Sequence, residues 1–149
     1  MGKLPRKPPC LSAGLNKNQI SMERTVLVVE DDRELAGVLA DALSEYGYRV
    51  ECAHDGAVAL ARLESERPAA IILDLLMPEM DGLQFLGSRR DNRVLSGIPV
   101  IVLTGQRGMT HKARALDADV VLEKPVKLLM LVDAIHRLVE ARGQRPADA

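Results

Sequence analysis

The sequence predicts one α/β domain built on a parallel β-sheet with helices on both faces. Short apolar runs rich in β-branched residues, such as Thr25–Val29, alternate with segments whose apolar residues recur at helical spacing. This alternation repeats five times along the 149 residues, a length sufficient for one domain with a sizeable core. Connections long enough to hold a helix join parallel strands through right-handed crossovers.

The first half of the chain predicts two strand–helix units. Thr25–Val29 is typical of a strand buried on both faces. A helix follows, with Asp32 as its N-cap and Gly47 as its stop signal. Arg49–Ala53 is less apolar, which favours an edge strand, and Gly56–Glu66 predicts a second helix. The inner face of the first helix is predicted to hold Leu35, Val38, Leu39, Ala42, Leu43 and Tyr46.

The second half predicts three further units. The strands are Ala69–Asp74, Pro99–Thr104 and Asp119–Glu123. The helices run from Gly82 to about Arg90, over roughly Gly108–Leu116, and from Pro125 as a first helical residue. The inner face of the last helix is predicted to hold Leu128, Leu131, Val132, Ile135, Leu138 and Val139. The whole predicts a flavodoxin-like (βα)5 doubly wound sheet with strand order 2-1-3-4-5.

Composition excludes several classes of protein. The formal net charge of −1 disfavours a basic DNA-binding face, and an aromatic content of 2% provides no platform for stacking bases. No apolar run approaches the roughly 18 residues that a membrane span requires, and no secretory signal is recognisable. Cys10 and Cys52 form no metal or redox pattern, so we expect a reducing, cytoplasmic location.

The two ends of the chain differ in composition from the alternating region. Residues 1–22 hold three prolines, four basic residues and no acidic residue, which predicts a disordered basic tail. We therefore predict a domain over residues 23–142, followed by a frayed tail over 143–149. We expect a single-domain protein, without an output domain after residue 142, whose output runs through protein contacts.

Polar side chains stand where the apolar runs end. They are Glu30 and Asp31, Asp74, Thr104 and Lys124. Each has an ordinary alternative, such as helix-dipole compensation for the acids, but the carboxyl ends of parallel strands meet at one edge, where such sheets bind ligands. Carboxylates there suit Mg²⁺, and an ionised Asp74 can attack phosphorus. Lys124 would then neutralise a phosphoryl oxygen, and the Thr104 hydroxyl would donate to another.

Four segments carry a resemblance to a known family. Val26–Asp32 (VLVVEDD), Ile71–Gly82 (IILDLLMPEMDG), Pro99–Thr104 (PVIVLT) and Lys124–Pro125 resemble the receiver domain of two-component response regulators, over about residues 24–142. The resemblance implies phosphoryl transfer from a phosphohistidine to an aspartate in the presence of Mg²⁺. It also implies a sensor histidine kinase or histidine phosphotransfer protein as donor, and a downstream protein partner.

Motif positions assign roles by this resemblance. Asp74 resembles the phosphoacceptor, and Glu30 and Asp31 resemble the acidic pair, with Asp31 as a direct Mg²⁺ ligand. Leu76 would supply a backbone carbonyl to the metal, and its branched side chain would slow loss of the phosphoryl group. Thr104 and Lys124 resemble the switch hydroxyl and the phosphate-pairing lysine. In the family, Pro125 follows a cis peptide bond.

Three residues depart from the family pattern. Val121 replaces the usual Tyr or Phe, which predicts a muted or different conformational response. Asp117 replaces a usual Gly and remains compatible with a helix C-cap. Arg89 replaces a common inward Leu, which predicts a third helix that is less firmly docked. The three histidines, His54, His111 and His136, lack a kinase-like context and are interpreted as solvated or structural.

Two alternatives compete with a phosphorylation-gated switch. A receiver-fold interaction module that signals without phosphorylation is favoured by Val121 but disfavoured by the intact Asp74, Thr104 and Lys124. An enzyme of the haloacid-dehalogenase type would need a second acid where Leu76 stands. We therefore expect no enzyme beyond catalysis of the protein's own phosphorylation and dephosphorylation, with neither direct DNA binding nor membrane association.

Overall fold

The sheet confirms the predicted architecture. The computed structural model describes residues 24–75, 82–106 and 108–143, without the side chains of 142 and 143. Five parallel strands pair in the order β2-β1-β3-β4-β5, which is the predicted flavodoxin-like order with β2 at an edge. The strands are β1 (Thr25–Val29), β2 (Arg49–Ala53), β3 (Ala70–Asp74), β4 (Val100–Thr104) and β5 (Val120–Glu123).

Five helices connect and cover the strands in the described part of the chain. They are α1 (Arg33–Glu45), α2 (Gly56–Leu63), α3 (Gly82–Asp91), α4 (Met109–Ala115) and α5 (Leu128–Gly143), with a short 3₁₀ turn at Leu95–Gly97. The prediction that Pro125 opens the last helix is wrong. The amides of Met130 and Leu131 both donate to the carbonyl of Lys127, so the first turn is built on Lys127 and the helix begins at Leu128.

The sheet separates two apolar layers because successive strand residues point to opposite faces. Leu27 and Val29 of β1 pack with α2, α3 and α4, in a layer that includes the one phenylalanine, Phe85. Val26 and Val28 pack with α1 and α5 on the other face. Both layers are aliphatic apart from that ring and Tyr46 and Tyr48, as the low aromatic content predicts.

Two residues predicted to face the core are exposed. Val38 of α1 is 63% exposed, because it stands two positions after the buried Ala36, about 200° around the helix. Leu128 is 37% exposed, since it is the first residue of α5 and stands at the end of the buried stripe formed by Leu131, Val132 and Ile135. Most of the predicted inner faces is nevertheless buried or partly buried.

Local signals at the helix ends behave as predicted. The Asp32 carboxylate accepts hydrogen bonds from the amides of Glu34 and Leu35, at 3.0 and 3.2 Å, and so caps α1. Gly47 follows α1 with a φ of 90°, a conformation that glycine adopts without steric cost. Asp117, where the family usually has glycine, also adopts a positive φ of 64° just after α4. Asp117 thus adopts the left-handed conformation that the prediction considered, one residue beyond the C-cap Leu116.

Arg89 corrects the prediction of a loosely docked third helix. Its side chain is 3% exposed and donates hydrogen bonds to the backbone carbonyls of Ser96, Ile98 and Asp117 and to the carboxylate of Asp119. A leucine at this position would pack without polar partners. The guanidinium instead ties α3 to the segments that precede β4 and β5, so α3 is firmly anchored.

Candidate functional site

Four strands end at one edge of the sheet, and each contributes a polar residue. Glu30 and Asp31 follow β1, Asp74 is the last residue of β3, Thr104 is the last residue of β4, and Lys124 follows β5. These four strands are consecutive neighbours in the sheet order. The structure therefore places the predicted site residues along a continuous edge. Leu76, the fourth predicted contributor to the metal site, lies outside the described residues.

Three carboxylates form an acidic cluster at this edge. One carboxylate oxygen from each of Glu30, Asp31 and Asp74 lies within 4.8 Å of the others. Glu30 and Asp74 are buried, whereas Asp31 is exposed. Burial, together with the nearby Asp74 and Asp31 side chains, raises the pKa of Glu30 from its ordinary value of 4.5 to about 8. Like charges this close repel one another, so a bound cation would stabilise the ionised cluster.

The donor set fits a hard divalent cation. All three side chains offer oxygen ligands, which Mg²⁺ prefers, and the exposed Asp31 leaves the cluster open to solvent. Among the residues that the structure describes, buried Glu30 Oε1 has no hydrogen-bond partner. An unsatisfied buried acceptor beside two further carboxylates is the arrangement that a cation, or its coordinated water, would satisfy.

Lys124 supplies positive charge to the same cluster. Its Nζ lies 3.6 Å from Asp74 Oδ1 and 3.9 Å from Glu30 Oε1. Its backbone amide donates to the carbonyl of Thr104 at 2.7 Å, which fixes the start of the side chain against β4. The Lys124–Pro125 peptide bond is cis, as the resemblance implies. The ammonium can therefore pair with an anionic group attached to Asp74.

The Thr104 hydroxyl is engaged within its own loop. It accepts a hydrogen bond from the Gln106 amide at 3.1 Å and donates one to the Gln106 carbonyl at 3.3 Å. A hydroxyl has one hydrogen to donate. Thr104 must therefore release the Gln106 carbonyl before it can donate to another group at the site. The side chain is buried and sits at the correct edge, but its hydrogen-bond donor is directed elsewhere.

Gly82 packs against the backbone of Asp74 and Leu75 at the end of β3. A Cβ added there would lie 2.5 Å from Leu75 Cα and 2.7 Å from the carbonyl oxygen of Asp74, closer than atoms can approach. The Gly82 amide donates to the Leu75 carbonyl at 2.8 Å. The absence of a side chain at Gly82 therefore lets α3 begin against the backbone that carries Asp74. The sequence segment quoted for the family contains Gly82, but spacing alone does not predict this close approach.

His54 also lies at the site edge, which the sequence pattern does not predict. It follows β2 directly, and its Nδ1 lies 3.0 Å from the backbone carbonyl oxygen of Glu30. The only sequence signal is its position at a strand end, shared with the other site residues. His136, by contrast, lies on α5 and contacts Tyr48 and Glu140.

A model of the response regulator receiver domain matches residues 26–136. The chain belongs to the response regulator receiver family. Receiver domains act in two-component signalling, bind Mg²⁺ in their active sites and are signalling modules that interact with histidine kinases. The acidic cluster of this receiver domain is compatible with that general property. None of the helices in the described ranges has the length and apolar character needed to cross a bilayer.

Similar proteins support the assignment. Response regulator MprA from Mycobacterium bovis (strain BCG / Pasteur 1173P2) is 38% identical over 130 residues, covering 86% of this chain and 55% of MprA. The chain thus spans about half the length of the curated relatives it matches. A receiver domain of a histidine kinase from Syntrophus aciditrophicus has a TM-score of 0.77 and 33% identity, over 83% of this chain and 95% of that chain.

A third relative bears on the metal. The receiver domain of sensor histidine kinase PA1611 from Pseudomonas aeruginosa PAO1 has a TM-score of 0.73 and 28% identity, over 78% of this chain and 98% of that chain. That structure contains a magnesium ion coordinated in its active site cleft.

Proposed function

We propose that this receiver domain accepts a phosphoryl group on Asp74, in a reaction that requires Mg²⁺. The observation that carries the proposal is the position of the Lys124 ammonium, 3.6 Å from Asp74 within the cluster formed with Glu30 and Asp31. A structural carboxylate has no need of a cation site on one side and a lysine on the other. A carboxylate that carries a dianionic phosphoryl group needs both.

Each residue of the site has a separate role in the proposed phosphoryl transfer. An oxygen of Asp74 attacks phosphorus, an O–P bond forms, and the N–P bond to the donor imidazole breaks, with its electron pair returning to that ring. Glu30, Asp31, Asp74 and the backbone carbonyl of Leu76 would hold Mg²⁺, which supplies charge neutralisation between the carboxylates and the phosphoryl oxygens. Lys124 pairs with one phosphoryl oxygen.

Thr104 reports the presence of the phosphoryl group in this proposal. Its hydroxyl gives up the Gln106 carbonyl and donates to a phosphoryl oxygen, which is the stronger acceptor because it is charged. Gln106 and the loop between β4 and α4 then lose a local constraint. The chemical event on Asp74 is thereby converted into a change at a neighbouring loop.

The proposed partners follow from the same chemistry. A sensor histidine kinase or a histidine phosphotransfer protein in the cytoplasm would provide the phosphohistidine, and a downstream protein would read the modified surface. We expect no direct contact with DNA by these residues, since the net charge of the chain is −1. In this role the protein catalyses only its own phosphorylation and dephosphorylation.

A second candidate function rests on Val121. This half-buried residue packs against the apolar layer of α4, and valine has no ring that could turn inward when Thr104 moves. A receiver-fold module that binds its partner regardless of phosphorylation would tolerate that replacement. The intact cluster around Asp74 favours the phosphorylated switch over this alternative.

Intact-mass measurement tests the proposal. The protein is incubated with acetyl phosphate or phosphoramidate, with and without Mg²⁺, and weighed beside the Asp74→Asn variant. We expect the mass of one phosphoryl group to be gained by the wild type with Mg²⁺ only, and by the variant under neither condition. A wild type that gains no mass from several donors contradicts the proposal and favours the phosphorylation-independent module. A gain that persists in Asp74→Asn contradicts the assignment of the acceptor.

A further inference from the structure

Two contacts hold the backbone of Glu30 to the end of β2. The Glu30 amide donates to the carbonyl of Ala53 at 3.0 Å, and the Glu30 carbonyl oxygen lies 3.0 Å from Nδ1 of the His54 imidazole. Both polar groups of this backbone unit are therefore bound by two successive residues of the neighbouring chain segment. The second contact is made by a side chain, which distinguishes it from an ordinary ladder bond.

The imidazole replaces a backbone donor that the sheet has lost. The β1–β2 register pairs Val29 with Ala53, so the parallel pattern would give the Glu30 carbonyl a bond from the amide of Asp55. β2 ends at Ala53, and Asp55 is already the N-cap of α2, accepting from Val58 at 2.7 Å. The His54 side chain thus extends the ladder by one bond beyond the last strand residue.

This contact requires a hydrogen on Nδ1 of the His54 ring. A carbonyl oxygen only accepts hydrogen bonds, so the imidazole must carry its hydrogen on Nδ1 in order to donate. In a neutral ring Nε2 is then the unprotonated nitrogen. The geometry thus predicts a hydrogen on Nδ1 of His54, which a spectroscopic measurement can check.

The held carbonyl belongs to the peptide group that joins Glu30 to Asp31. That group is planar, so fixing its oxygen restrains ψ of Glu30 and φ of Asp31 together. These two angles help to set where the Asp31 side chain leaves the backbone relative to that of Glu30. The oxygens of both carboxylates lie within 4.8 Å of one another and of Asp74. A restrained peptide therefore favours a preorganised acidic cluster.

We propose that His54 is a positioning residue for the acidic pair, acting through the Glu30–Asp31 peptide to raise the affinity of the cluster for Mg²⁺. This inference rests on the proposed metal-dependent function of the site. Groups that orient metal ligands without touching the metal change affinity by about 10- to 100-fold when they are removed. His54 is placed to act in this way through backbone geometry.

Three substitutions of His54 distinguish the effect of its hydrogen-bond donor from the effect of its side-chain volume. In His54→Asn the amide nitrogen occupies the place of Nδ1, in His54→Gln it occupies the place of Nε2, and His54→Leu has no donor. We expect the dissociation constant for Mg²⁺, measured by calorimetric titration, to stay within about twofold of wild type for His54→Asn and to rise about tenfold for the other two. His111→Leu, at an exposed position on α4, is the matched control and should leave it unchanged.

A second measurement does not depend on metal binding. Ring ¹⁵N shifts of wild-type His54 should show a hydrogen on Nδ1 near neutral pH, and a ring protonated on Nε2 alone overturns the inference. Equal affinity for Mg²⁺ in the wild type and in a folded His54→Leu variant overturns this inference only. A wild type that binds no Mg²⁺ overturns the proposed function and this inference with it. If circular dichroism shows that His54→Leu does not fold, the test rests on the Asn and Gln variants. An equal loss of Mg²⁺ affinity in these two variants contradicts the positioning role of His54.

Discussion

Arg89 and Asp119 form an ion pair with 3.1 Å between Nη2 and Oδ2, linking α3 to the residue before β5. The same carboxylate oxygen accepts a hydrogen bond from the Val100 amide at 2.8 Å. One carboxylate thus joins the guanidinium to the first residue of β4. The Arg89 side chain is almost fully buried, so a positive charge here depends on these partners.

Replacing Arg89 with Met should lower the free energy of unfolding by about 3–5 kcal/mol, because it leaves buried carbonyls and a carboxylate without their donor. Urea denaturation measures the change. Arg90→Met is the matched control. Arg90 is 39% exposed and pairs with the largely exposed Asp91, so its loss should change stability by less than about 1 kcal/mol. Equal losses in both variants would contradict the anchoring role of Arg89.

The stability of the metal-free protein should fall with rising pH because of Glu30. Its pKa is raised from 4.5 to about 8 in the folded protein, chiefly by burial. Between these values the folded state retains a proton that the unfolded state releases, so the unfolding free energy decreases as pH rises through this window. Urea unfolding in EDTA at about pH 6 and about pH 9 should show this decrease in wild type but less of it in Glu30→Gln. An identical pH dependence in the two proteins would exclude Glu30 as its source.

Thr104→Val should leave phosphorylation of Asp74 intact but abolish the structural response of the neighbouring loop. The variant keeps the side-chain shape but loses the hydroxyl that binds both polar groups of the Gln106 backbone. We expect phosphorylation of Asp74 to persist, while the Gln106 amide resonance loses its response to a phosphoryl mimic. Thr104→Ser is the control and should retain that response. A Gln106 response that survives in the valine variant would place the reporter elsewhere.

Val121 predicts a limited structural response to phosphorylation. The residue packs in the layer of α4 as a small aliphatic side chain with no ring to reorient. Amide shifts with and without a phosphoryl mimic should change near Asp74 and Thr104 and stay nearly constant along β5 and α5. Val121→Tyr tests the reason, since it should extend the changes into β5. Widespread shifts in the wild-type β5 and α5 would refute the prediction.

Two glycines of the same helix should respond in opposite ways to alanine. Gly82→Ala forces a methyl group against Leu75 and the Asp74 carbonyl, so it should lower stability and reduce phosphorylation of Asp74. Gly87→Ala meets no atom within 4 Å and should raise stability by roughly 0.5–1 kcal/mol, because alanine is the better helix former. Thermal unfolding and the intact-mass assay provide the two readouts. Equal behaviour of the variants would argue against the close approach at Gly82.

Local sequence patterns predict the strands and their common edge well, because burial on both faces leaves a continuous apolar run and a polar residue must end it. They predict the Asp32 cap for an equally local reason, whereas the left-handed turn at Asp117 is expected from the family pattern. They fail where the outcome depends on distant partners. Arg89 finds its acceptors up to 30 positions along the chain, and His54 meets Glu30 only after β1 and β2 pair.

The division of the core by the sheet makes adjacent valines independent reporters. Val28 and Val29 are neighbours in β1, yet their methyl groups enter different apolar layers, one beneath α1 and α5 and the other beneath α2, α3 and α4. Selective methyl labelling would therefore resolve which side of the molecule carries a signal away from Asp74. A chain with a single phenylalanine and no tryptophan has few ring currents to disperse those resonances, so the labels should be introduced residue by residue.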